Sequence, residues 1–376
     1  METSFLKEIQ LISICFNPLK ETAFILYKEK NITKKPHPNN LYLVEEDFSG
    51  KIIKKRFKLL QKNELIITNQ NIKRNCYDSL EGYFLHFWEA SEKLIVVYPF
   101  SYILIYDYNS TELVYHFQCT GIKNFVIRNL ISSPIENCIF VTGENFNFIY
   151  CLDYSIISSH KPVNELLNNK INIPKDIKIM DIVVHPNEKF FFVAYADGLI
   201  RIYDYNNIKK IKELDTPLMD WEDNNIDNNN KNKINKSTNS NNNNTPNIIK
   251  EPDAVNCLDI NTLGNFLIDG TERGNIHLWD SSACIKNNKI LYKKENIGES
   301  IFSCKFIKTR QFGNLQKFIL LTKNGNLLIY FILIKDSSKN NADKKNEKSY
   351  IMEAVYKKQI FDNPIIPNAI SKYNLF

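Results

Sequence analysis

The chain has 376 residues, a formal net charge of +6, 43% hydrophobic residues and 12% aromatics. That much apolar material builds a large core and excludes a disordered chain, and the near balance of charge excludes a dedicated nucleic-acid binder, which concentrates its Lys and Arg. No stretch reaches the ~18 apolar residues of a membrane span, and the start, Met1-Glu2-Thr3-Ser4, has no signal-peptide pattern, so the sequence reads as an intracellular protein, cytoplasmic or nuclear.

Nineteen Tyr and 24 Phe against 4 Met favour strands, where flat side chains pack on a pleated surface. Taken in chain order, six strand-rich units are expected, at about 7–69, 80–120, 122–167, 177–215, 253–294 and 298–362. The first carries an insert near Lys28 to Asn40 and a basic stretch, Lys51, Lys54, Lys55, Arg56 and Lys58. That stretch is read as a solvated strand and turn, with an anionic partner as the alternative. A further apolar run, Leu65-Ile66-Ile67-Thr68, could open another unit.

The later units share one signature. An apolar run, a tight polar turn and a second alternating run end on an aromatic-Asp pair: Tyr106-Asp107, Tyr203-Asp204 and Trp279-Asp280, with a weaker copy at Leu152-Asp153. His185 to Asp204 aligns without a gap on Asn261 to Asp280, with Gly198 on Gly274. Each copy reads as a β-hairpin; in the two aligned copies the turn glycine supplies a positive φ angle, and in the copy ending at Asp107 Ser101 takes its place. Apolar runs before and after each hairpin bring the unit to four strands. Setting aside 216–252, the interval from Asp204 to Asp280 approaches the ~40–45 residues of a propeller repeat.

In these features the chain resembles the WD40 family, most clearly over His185 to Asp204 and Gly274 to Asp280. The resemblance implies an all-β, WD40-like β-propeller forming a single domain over 1–376, with six four-stranded blades. Seven is the commoner closure, and an open or partner-completed ring is an alternative. The family's Gly-His pair is missing, only one Trp occupies the Trp-Asp position, and the polar tetrad that pins typical blades is largely absent.

The segment 222–250, dominated by Asn and Lys, buries too little to offset its ordering entropy and is expected to be disordered. The polar stretch 335–348 is expected to be a flexible loop. Beside the first, Trp221 lies in an aromatic and acidic cluster that serves as a short linear motif or folds back onto the propeller.

No chemistry declares itself. The six His show no metal-ligand spacing, the eight Cys form no C-x-x-C pair, and no phosphate-cradling or nucleophile motif occurs. His277 reads as a packed or hydrogen-bonded strand residue, and Cys257 and Cys304 as small core residues. No catalytic, cofactor-binding or metal-binding residue is assigned. The expected function is a non-catalytic protein–protein interaction scaffold, a subunit or adaptor whose partners are other proteins of a complex. Contact with RNA or membrane phosphoinositides is the alternative. The turns between second and third strands should share one rim, which makes Phe100, Phe146, Asp197, Glu272 and Arg273, together with Trp221, the candidate partner-binding residues. Aromatics on turns are unexpected; Phe100 and Phe146 either face a partner or tuck under a neighbouring loop.

Overall fold

The computed structural model describes residues 8–17, 22–30, 41–47, 55–57, 84–98, 102–118, 127–143, 148–158, 170–173, 177–205, 209–215, 252–281, 290–294, 297–307, 315–336 and 348–359. Phe100, Phe146 and Trp221, the run 65–68 and nearly all of the stretches 222–250 and 335–348 lie outside these residues.

The described chain forms six antiparallel sheets of four strands each, every one ordered as the chain runs. Sheet 1 holds β1 (Glu8–Asn17), β2 (Thr22–Lys30), β3 (Leu41–Asp47) and β4 (Lys55–Phe57). Sheet 2 holds β5 (Phe84–Trp88), β6 (Lys93–Tyr98), β7 (Tyr102–Asp107) and β8 (Leu113–Gln118). Sheet 3 holds β9 (Ile127–Ser132), β10 (Cys138–Gly143), β11 (Phe148–Asp153) and, after the short helix α1 (Tyr154–Ser158), β12 (Lys170–Asn172). Sheet 4 holds β13 (Ile179–Val184), β14 (Phe190–Tyr195), β15 (Leu199–Asp204) and β16 (Lys209–Asp215). Sheet 5 holds β17 (Val255–Ile260), β18 (Phe266–Thr271), β19 (Ile276–Asp280) and β20 (Ile290–Lys294). Sheet 6 holds β21 (Ile301–Phe306), β22 (Leu315–Thr322), β23 (Asn326–Asp336) and β24 (Lys348–Gln359).

The two best sequence copies are the same hairpin in space. Phe190 pairs with Asp204 and Phe266 with Asp280, and both ladders run to the turn in step. The aromatic at this place, followed by Asp in three sheets and by Phe331 in sheet 6, marks a further repeat. The register to the outer strand shifts between Ile105 and Tyr106, Ile202 and Tyr203, Leu278 and Trp279, and Ile329 and Tyr330. A bulge at this point adds local twist and bends the outer strand. That accommodates a large ring, and Tyr106, Tyr203, Trp279 and Tyr330 are all buried.

The first strands lie side by side in chain order, β1 by β5, β5 by β9, β9 by β13, β13 by β17 and β17 by β21. They therefore form the inner wall, and successive sheets face one another across apolar cores. Sheets 1 and 2 meet through Phe24, Leu26, Leu94 and Leu104, and sheets 2 and 3 through Ile95, Ile105, Ile139 and Val141. Sheets 3 and 4 meet through Phe140, Ile149, Phe191 and Tyr203, sheets 4 and 5 through Phe192, Ile202, Leu267 and Trp279, and sheets 5 and 6 through Ile268, Leu278, Leu320 and Tyr330. Strands of the middle sheets carry apolar residues on both faces because both faces are covered, and each such side chain contributes about 1.5–3 kcal/mol on burial.

Candidate functional site

The turns between second and third strands of sheets 4, 5 and 6 share one construction. Gly198, Gly274 and Gly325 sit at φ values of 81°, 84° and 83°. Each donates its N–H back to the residue that ends the second strand, Tyr195, Thr271 or Thr322. In sheets 5 and 6 that residue is Thr, and its Oγ1 also accepts the N–H of Asn275 (2.9 Å) or Asn326 (3.1 Å).

An acidic residue in the segment entering the inner strand clamps the turns of sheets 5 and 6. Asp253 accepts the Arg273 N–H at 3.0 Å and the Asn275 side-chain amide at 2.6 Å. Glu299 accepts from Thr322 Oγ1 at 2.6 Å and from Asn326 Nδ2 at 2.8 and 2.9 Å. Burial pushes the Glu299 carboxyl up, but the hydrogen bonds from Thr322, Asn326 and Lys357 outweigh it and hold the group below its ordinary value. Neither acid was singled out in the sequence. The signal available was their common place, just ahead of the inner strands in Asp253-Ala254-Val255 and Glu299-Ser300-Ile301.

The rim is tied between sheets as well as within them. The Ile297 N–H reaches Gly274 O at 3.0 Å. Glu272 bonds Lys323 Nζ at 2.5 Å and Asn256 Nδ2 at 2.7 Å. Partial burial raises the Glu272 carboxyl, and the bonds from Lys323 and Asn256 bring it below its ordinary value. Asp197 accepts Leu199 N–H at 3.1 Å and grips Arg201 through both carboxylate oxygens, at 3.2 and 2.7 Å. Arg201 is itself buried and also binds Glu213 at 2.9 Å. Of the six sequence candidates, Asp197, Glu272 and Arg273 are thus placed on these turns, while Phe100, Phe146 and Trp221 lie outside the described residues.

Polar side chains on the inner strands form a second system. In four places one sheet accepts a backbone N–H from the inner strand of the next. Ser13 Oγ takes Leu85 N–H at 3.0 Å, His86 Nε2 takes Ser132 N–H at 3.1 Å, Asp181 takes Leu258 N–H at 2.9 Å and Asp259 takes Phe306 N–H at 2.6 Å. Asp259 also binds Lys305 Nζ at 2.9 Å, on a side chain that keeps 26% exposure. Burial lowers the Lys305 pKa, but Asp259 and Asp181 outweigh it and hold it above its ordinary value. His86 is depressed to about 4, first by burial and then by the charge of Lys305.

Between sheets 4 and 5 the buried Asp269 accepts Trp279 Nε1–H and pairs with His277 Nδ1 at 2.8 Å. His277 is a buried, hydrogen-bonded strand residue, and Cys257 and Cys304 are buried thiols. Among the described residues no group of three His, Cys, Asp or Glu is arranged to hold a metal ion.

Six four-stranded sheets set inner strand by inner strand, with aromatic-Asp hairpins, define a WD40-like β-propeller. The family model "WD domain, G-beta repeat" matches residues 172–204, a stretch that runs from the outer strand of sheet 3 through β13, β14 and β15, so the chain carries a WD40 repeat there. Among solved structures it is similar to the crystal structure of Chaetomium thermophilum Raptor, with a TM-score of 0.51 and 12% identity over 85% of this chain. The likeness spans 23% of the Raptor chain, and at that identity it shows the fold alone. A total of 1441 solved chains resemble this one, so the architecture is shared too widely to carry a function by itself. Comparison with curated protein sequences gives no match. No helix of the described residues is long and apolar enough to cross a membrane.

Proposed function

We propose that the chain is a non-catalytic protein-interaction scaffold, an adaptor or subunit of a multiprotein complex, and that its partners dock on the rim of sheets 4, 5 and 6. The observation that supports this reading is the hydrogen-bonded construction of that rim. Its turns are held by Asp253, Glu299, Glu272 and Asp197 before any partner arrives. Binding there loses little loop entropy, so more of the contact energy appears as affinity. Glu272 and Asn324 are exposed and Arg273 is half-buried, which offers a partner charged and amide groups on fixed backbone. Phe100, Phe146 and Trp221 are proposed to extend the surface.

The test is affinity purification of the tagged, full-length chain at two salt concentrations, with nuclease treatment and mass spectrometry. The expected result is a stoichiometric set of proteins that survives higher salt and is lost with Arg273→Glu plus Asn324→Arg in a chain of unchanged circular dichroism. RNA or anionic lipid that copurifies and disappears as salt rises would replace this reading with an anion-binding propeller. A protein set indifferent to the double substitution would move the interface off this rim.

A further inference from the structure

The inner strands β13, β17 and β21 share one plan. Each has 6 residues, and in each the register to the second strand shifts just after the first residue. A bulge there turns the first residue to the same side as the fourth and sixth, and that side faces the preceding sheet. In β13 the three are Ile179, Ile182 and Val184, in or against the core with sheet 3. In β17 they are Val255, Leu258 and Ile260, with sheet 4. In β21 they are Ile301, Cys304 and Phe306, with sheet 5. Asp253 and Glu299 stand two places ahead of β17 and β21.

The chain also enters its inner strands in one way. β8, β12 and β20 end opposite the first residue of their third strands, on the rim of the second-to-third turns. The next inner strand then begins after residues 119–126, 173–178 and 295–300. β24 ends in the same place, with Gln359 opposite Asn326. Residues 360–376, which lie outside the described residues, repeat the plan in sequence. A connector holds Pro364 and Pro367, which cannot donate to a ladder. Asn368 and Ala369 follow, then Ile370-Ser371-Lys372-Tyr373-Asn374-Leu375. Asn368 stands where Asp253 and Glu299 stand, and Ile370, Tyr373 and Leu375 are the first, fourth and sixth residues.

The surface that such a strand would meet is open. Five apolar cores join the six sheets in chain order, and the far face of sheet 6 belongs to none of them. It buries Leu321 but leaves Ile319, Leu327, Ile329 and Phe331 half-buried, and Tyr356, opposite Ile329, keeps 44% of its surface in water. We infer that residues 370–375 of this chain dock on that face as the inner strand of a seventh position in the ring, with Ile370, Tyr373 and Leu375 turned towards Ile319 and Ile329. The connector 360–369 spans up to roughly 33 Å when extended, and the three strand spacings from outer to inner strand take about 14 Å. This face is distinct from the rim proposed above, so either reading can fail without the other.

The experiment is carboxypeptidase digestion of the native full chain, read by intact mass, beside free peptides of residues 360–376 with matching sequence. The expected result is trimming past Leu375 at least about tenfold slower in the chain than in the peptide, since removal requires the docked strand to open. Tyr373→Asp should abolish the difference, because it sets an unpaired carboxylate on an apolar face. It should also speed hydrogen exchange in β22 and β23 and leave β14 and β15 unchanged. Ile319→Ser with Ile329→Ser, in a chain of unchanged circular dichroism, should free the tail in the same way. A wild-type tail trimmed at the rate of the peptide overturns the inference, as does a Tyr373→Asp chain with unchanged exchange in β22 and β23. A resistant tail indifferent to the double Ser substitution docks elsewhere and overturns it too. Resistance that rises with protein concentration would assign the strand to a second copy instead.

Discussion

The buried polar side chains of this protein pin strands within a sheet and join neighbouring sheets, and their protonation states follow from their partners. Asp269 holds Trp279 and His277 at the interface of sheets 4 and 5, supplying in one blade the polar pinning that the sequence lacks elsewhere. His86 is one group whose folded-state protonation differs from that in water. Its Nε2 accepts the Ser132 N–H, so that nitrogen must be unprotonated, and burial followed by the Lys305 charge lowers its pKa from 6.5 to about 4. A folded-state pKa below the unfolded one gives stability that is complete above pH 6.5 and is lost as pH falls towards 4, because the unfolded chain takes up the proton first. The urea midpoint of the wild type should therefore fall between about pH 7 and about pH 5. His86→Gln keeps an acceptor for the Ser132 N–H without a titrating ring. It should flatten that part of the profile, and an unchanged pH dependence would remove His86 as the cause.

At the scale of the element, the turn glycines separate backbone conformation from packing. Gly274 has φ 84°, and a Cβ there would lie 2.5 Å from the Glu299 carbonyl oxygen; a Cβ added at Gly298, where φ is 85°, would meet nothing within 4 Å. Gly298→Ala should cost only the left-handed backbone term, about 1–2 kcal/mol. Gly274→Ala should cost clearly more, because the sheet 5 turn must move away from the segment entering β21. Chemical denaturation of the two variants side by side measures the difference, and equal losses would show that the close approach has no energetic weight. The hairpins themselves were legible in the sequence because strand alternation and turn glycines are local: Phe190 to Asp204 and Phe266 to Asp280 align in the chain and pair identically in space. The ties between elements were not legible. Asp181 reaches Leu258 across 77 positions and Asp259 reaches Phe306 across 47, and no local pattern announces such a pair. β12 offers three residues with Ile171 as its one apolar side chain, too little alternation to read. At the rim, Asp197 and Glu272 were legible as turn residues, but their engagement with Arg201 and Lys323 was not. They serve as fixed parts of the surface as well as groups for a partner.

The whole molecule is covered unevenly, and its order of opening follows from that. Sheets 2 to 5 pack both faces; on the forward face of sheet 2, Ile95, Ile103 and Ile105 are at 0% exposure. In sheet 6 the face towards sheet 5 is equally closed, with Tyr330 at 1% and Ile332 at 0%. The opposite face buries Leu321 but leaves Ile319, Leu327, Ile329 and Phe331 only half-buried. Less apolar surface therefore returns to water when sheet 6 separates than when a middle sheet does, and its opening costs less. Besides the core it shares with sheet 5, sheet 6 is held by the bonds of Asp259 to Lys305 and Phe306, and by Lys323 to Glu272 at the rim. Native-state hydrogen exchange in rising denaturant should show β21, β22 and β23 opening as one unit below global unfolding, with β14, β15, β18 and β19 exchanging last. Asp259→Ala should speed exchange in β21 to β23 further while leaving β14 and β15 unchanged, because it frees the Phe306 N–H and the Lys305 charge without touching the core between sheets 3 and 4. Uniform exchange across all six sheets would show instead that the inner-strand bonds and the half-covered face do not set a separate unit, and that the propeller opens only as a whole.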